Sequence, residues 1–139
     1  MKVNLERIEM GRIIRLGNHR IICGDYTNPQ IIAKLLNGVC VNCWLTDEPY
    51  GVAAVESKKS LLGNSKHRKI ENDQTQSESE HKAFVKSWIT PVLPYLEKKN
   101  SIYFFNSDKM IFALHEAMLG CDIKFAQLLI WVKSQPVIG

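Results

Sequence analysis

The chain has 139 residues, which suits one domain with a sizeable core. Hydrophobic residues make up 45% and charged residues 23%, the balance of a globular protein, and the apolar runs are too short to span a bilayer. A net charge of +4 permits a nucleic-acid partner without demanding one. The opening Met1-Lys2-Val3-Asn4-Leu5-Glu6-Arg7 lacks the apolar stretch of a secretory signal, so a cytoplasmic location is expected.

Residues 11–23 predict a hairpin. Arg12 to Leu16 and His19 to Cys23 flank Gly17-Asn18, a turn pair. Gly24-Asp25 ends the second strand. A helix should then begin at Pro29, capped by Thr27 or Asn28, bury Ile31, Ile32, Leu35 and Leu36, and close at Gly38. Val39 to Leu45 is a continuous apolar segment that predicts a buried strand.

From Ala53 to Gln76 the periodicity disappears, which predicts a long, mobile loop. It carries Lys58, Lys59, Lys66, Arg68 and Lys69. Two readings stay open for this cluster: a solvated basic loop, or contacts to phosphates. Ser77-Glu78-Ser79-Glu80 has the spacing of a capping box, and Phe84, Trp88 and Val92, with Val85, Ile89, Leu93 and Leu96 beside them, give the following helix its apolar face. Pro91 and Pro94 should kink or break it. Ser101 to Asn106 predicts a strand, and Ser107 a cap for a helix ending at Gly120. Ile123 to Val132 predicts a last strand, with Leu128 to Val132 buried and Trp131 in the core.

The alternation of strands and helices implies one α/β domain over residues 1–139, a mostly parallel sheet with helices on both faces, preceded by the hairpin. Cys40 and Cys43 have C-x-x-C spacing. Residues three apart on a strand point to opposite faces, and no second close pair exists, so buried free thiols are expected and no metal.

The central feature is Asp47-Glu48-Pro49-Tyr50-Gly51, immediately after the buried strand. Pro49 cannot join a ladder and Gly51 frees the backbone, so the strand must stop there. In open α/β sheets the carboxyl ends of the strands are where ligands bind. The motif resembles the D-P-P-Y of the DNA amino-methyltransferases. Leu16 to Asp25 resembles the family's opening hairpin with its Gly-Asp pair, and Leu129 to Lys133 its later strand.

The resemblance implies a partial Rossmann-like methyltransferase fold that moves a methyl group from S-adenosylmethionine to the exocyclic amine of adenine in DNA. Asp47 and a backbone carbonyl, that of Glu48, would accept hydrogen bonds from the amine, and Tyr50 would stack on a base flipped from the duplex. Asp25 would meet the ammonium of the cofactor. Read from the residues alone, Asp25 is equally a capping aspartate before Thr27.

Two departures from the family stand out. Glu48 replaces a proline. The family's F-x-G-x-G cofactor turn is absent, because no two of the eight glycines are separated by one residue. The chain therefore resembles the N-terminal, catalytic half of the permuted subclass, in which the catalytic motif precedes the glycine turn. Such a half alone should bind cofactor very weakly and methylate DNA undetectably, and should associate with itself or with a second chain. The alternative is a non-catalytic binding or assembly module that has kept the fold.

Overall fold

The computed structural model describes residues 9–53, 55 and 70–134. Strands β1 (Ile13–Leu16) and β2 (His19–Ile22) pair antiparallel, with Leu16 opposite His19. Gly17 sits at the first turn position with φ +59, a conformation that costs a residue lacking Cβ little.

Helix α1 (Pro29–Leu36) starts as its sequence dictates. Asn28 is extended and its side chain accepts from the Gln30 N–H at 2.9 Å, while Pro29 occupies the first turn, where no donor is needed. Closure comes one residue earlier than expected: Asn37, at φ 52, takes the left-handed cap ahead of Gly38. Arg20 of β2 donates from Nε to the Leu35 carbonyl (2.8 Å) and from Nη2 to that of Lys34 (2.7 Å). These carbonyls lie in the last turn, where helical partners run out, so the guanidinium fastens the hairpin to α1.

Strand β3 (Val41–Thr46) pairs in parallel with β4 (Leu96–Phe104). The register is regular from Cys43↔Ser101 to Thr46↔Phe104, and an irregularity separates it from Val41↔Leu96. β4 thus begins before the predicted Ser101. Between the two strands, α2 (Glu78–Ile89) opens with the full capping box: Ser77 Oγ accepts from the Glu80 N–H, and Glu80 accepts from the Ser77 N–H at 2.8 Å. It ends at Thr90, just before Pro91, and a 3₁₀ turn over Leu93–Tyr95 leads into β4. Ser107 precedes a 3₁₀ turn (Asp108–Met110) without capping it through its side chain; helix α3 (Ile111–Leu119) follows and ends at Gly120.

The core lies between α2, α3 and one face of the parallel pair. Val85, Trp88 and Ile89 meet Leu114 and Ala117, and Trp44 and Phe104 pack on them from the strands. The Trp88 ring is the hub, with centroids 5.7 Å from Trp44, 5.3 Å from Phe104 and 5.9 Å from Tyr26.

The opposite face corrects several expectations. Leu45 and Tyr103 point there and are 65% and 46% exposed. Cys43 is exposed on the same face, and Cys40 just before the strand is exposed too, so these thiols are free but not buried. Among the described residues no helix covers this face. Residues 123–134 do not form a strand, and Leu128 to Val132 are strongly exposed, Trp131 at 74%. An apolar run becomes a buried strand only where a neighbouring strand and a covering layer exist. Here Trp131 instead touches Phe105, with ring centroids 6.1 Å apart. Among the described residues no helix is long and apolar enough to cross a membrane.

Candidate active site

The carboxyl ends of β3 and β4 lie side by side, and the Phe105 N–H extends the ladder to the Thr46 carbonyl at 3.1 Å. Asp47 to Gly51 leave β3 at this end. Asp47 is exposed, Tyr50 is half-buried, and the Tyr50 hydroxyl donates to Asp47 Oδ1 at 2.5 Å. Burial and this bond both raise the phenol's pKa above its ordinary value, so Tyr50 stays a donor and Asp47 an acceptor. A carboxylate offers about four lone-pair sites, so Asp47 can accept a further N–H while holding Tyr50.

Glu48 turns the other way. It is 4% exposed, and neither carboxyl oxygen has a hydrogen-bond partner beyond a weak approach to its own backbone N–H. Burial pushes its pKa up to about 8; its own backbone N–H opposes the rise and the Asp47 carboxylate adds to it. The Tyr26 hydroxyl, also buried without a partner, senses the Glu48 charge.

A polar network supports the turn from behind. The Gln76 N–H donates to the Gly51 carbonyl at 3.0 Å. His81 is fully buried; its Nδ1 meets Gln76 Oε1 at 2.9 Å and its Nε2 meets Asn106 Nδ2 at 3.4 Å. This pattern suits a neutral imidazole protonated on Nδ1, and burial lowers the His81 pKa in agreement. Buried Asp73 accepts from the Val52 N–H through its carboxylate (3.2 Å) and from the Ala53 N–H through its backbone carbonyl (2.6 Å). Thus both described ends of the predicted 53–76 loop are tied to the turn. Gln76, His81, Asn106 and Asp73 were not singled out from the sequence. One signal was present for His81: it stands four residues before Val85 and seven before Trp88, on the buried stripe of α2.

Gly51 is fixed by this network. Its φ is +66, and a Cβ there would lie 2.6 Å from Gln76 Oε1 and 3.1 Å from His81 Nδ1. Gly51→Ala is expected to cost about 1–3 kcal/mol of stability, measurable as a lower urea midpoint. A wild-type midpoint would show that the turn is not clamped.

Asp25 lies on the connection between β2 and α1, exposed. Its Oδ1 accepts from the Thr27 N–H (2.9 Å) and hydroxyl (2.8 Å), and the backbone bond foremost lowers its pKa. It forms a turn ahead of the helix, while Asn28 is the cap proper. Lys58, Lys59, Lys66, Arg68 and Lys69 lie outside the described residues.

A polar turn at the carboxyl end of a parallel strand, backed by helices on one face, defines a mixed α/β domain with the turn at the end where such sheets bind ligands. A family model described as DNA methylase matches residues 41–139, which run from the start of β3 through the Asp47–Gly51 turn and the network behind it but leave out Asp25. The chain belongs to this family of N6/N4 DNA methyltransferases. Comparison with curated proteins and with solved structures finds no match.

Proposed function

We propose that the chain carries the base-binding side of an S-adenosylmethionine-dependent DNA methyltransferase acting on the exocyclic amine of adenine. The observation that carries this reading is the Asp47–Tyr50 pair, a carboxylate and an aromatic ring joined at the carboxyl end of β3. An exocyclic amine is a poor nucleophile because its lone pair is delocalised into the ring. Asp47 accepts one N–H of the amine and the Glu48 carbonyl the other, which pulls the nitrogen toward tetrahedral geometry and localises the lone pair. Tyr50 stacks on the flipped base. The work of these residues is positioning and electrostatics.

The residues fit the cofactor at one end only. Asp25 is an exposed carboxylate held in its ionised form, suited to an ammonium. No Gly-x-Gly cradle exists in the sequence for a close backbone approach. When bound, the cofactor supplies an electrophilic methyl on a sulfonium. The basic cluster from Lys58 to Lys69 would contact DNA phosphates, and a Gly-x-Gly turn from outside residues 1–139, as from a second chain, would complete the cofactor side.

The test combines the chain with the cofactor half of a permuted family member, labelled S-adenosylmethionine and duplex DNA, followed by nucleoside analysis. Label on adenine N6 is expected. Label on cytosine N4 would correct the base, and label on a ring carbon or on none would refute the reading. In the same assay Tyr50→Ala should weaken turnover by about 1–3 kcal/mol, the worth of one stacked base, and Tyr50→Phe should retain most of it. Equal losses in both would assign Tyr50 to the hydrogen bond instead of the stack.

A further inference from the structure

Glu48 is a carboxyl that the transfer chemistry does not use. It follows Asp47 directly, yet its side chain is 4% exposed and both oxygens lack a partner from any other residue, while Asp47 faces solvent. A buried carboxylate without partners is costly, whereas the neutral acid is tolerated. Among the described residues, the groups that act on Glu48 or on the residues around it are Asp47 and Tyr50 of the turn, Tyr26 and Asp25 from the β2–α1 connection, Asp73 ahead of α2 and His81 in its first turn. Three are acids, two are phenols, and His81 is kept neutral by burial, so none of them offers a compensating positive charge.

We propose that Glu48 is a proton-linked positioning residue: protonated, it seats the Asp47–Gly51 turn against the interior, and ionised, it unseats the turn. An ionised Glu48 must reach water. Its exit rotates the backbone that carries the Glu48 carbonyl and displaces the neighbouring Asp47, the two acceptors assigned above. The catalytic consequence rests on that assignment; the conformational one does not.

The test is a carboxyl-carbon NMR titration of the full chain from pH 5 to 10, read together with the amide resonances of Asp47, Tyr50 and Gly51. Glu48 is expected to titrate near 8, with the turn amides moving at the same midpoint. In Glu48→Gln, a neutral group of the same shape, the turn amides should hold still across that range. The proposal is overturned by a Glu48 that titrates in the ordinary carboxylate range, by turn amides that ignore its titration, or by the same midpoint surviving in Glu48→Gln. If Glu48→Gln does not fold, the shared midpoint in the wild type decides alone. In the methyl-transfer assay the wild type should lose about tenfold per pH unit above the midpoint, and Glu48→Gln should not. Absence of transfer at every pH, with the turn still titrating alongside Glu48, refutes the methyltransferase reading and upholds the proton-linked turn.

Discussion

Asp47→Ala is expected to reduce methyl transfer in the completed assembly to background, a loss of at least about 10²-fold. The carboxylate is the one charged acceptor the turn presents to solvent beside Tyr50, whose hydroxyl it already holds at 2.5 Å. Its removal takes away the acceptor that localises the amine lone pair and frees the tyrosine ring to swing. Asp47→Asn separates these effects. It keeps a carbonyl acceptor and a partner for Tyr50 but discards the charge, so its activity should fall between the wild type and Asp47→Ala. Equal activity of Asp47→Ala and wild type would remove Asp47 from the mechanism. Stability should change little in either variant, because the side chain is exposed.

Trp88→Ala should be the most destabilising single truncation, at about 3–5 kcal/mol. The ring is fully buried and bridges Trp44 of β3, Phe104 of β4 and Tyr26 ahead of α1. Its removal opens a cavity under both strands that carry the site. Trp88→Phe should be much milder. A smaller ring keeps part of the packing, and the indole Nε1 it discards is buried with no hydrogen-bond partner. Urea denaturation of the three proteins checks the order. Comparable midpoints for Trp88→Ala and Trp88→Phe would show that the site can collapse around the loss.

Features set by local rules were legible from the sequence. Asn28-Pro29 and Ser77 to Glu80 declare helix starts because capping needs those side chains at those spacings, and the structure places both starts there. Gly17-Asn18 and the Pro91 break follow from backbone geometry in the same way. The Asp47 turn at the carboxyl end of β3 was legible because Pro49 and Gly51 must end a strand.

What depends on distant chain was not legible. The exposure of Cys43 and Trp131 is decided by what covers the sheet, and no periodicity reports that. In the sequence Glu48 stood out only as a departure from the family's proline, but its burial follows from a turn whose far side faces Tyr26. The network of Gln76, His81 and Asn106 joins three separate segments, and only the folded chain brings them together.

The parallel pairing of β3 with β4 also sets an order of events at the ribosome. The hairpin closes over two residues and can form as soon as Cys23 has emerged. Thr46, by contrast, finds Phe104 only after the intervening chain has been synthesised, and the entropy of closing so long a loop must be met before the ladder returns anything. Asn106, which braces His81 behind Gly51, comes later still. The acidic turn is made early and shaped late. Until Phe104 has been made, Asp47 and Tyr50 therefore sit on a nascent strand without a neighbour, where its exposed edge is open to chaperones or to a second nascent copy.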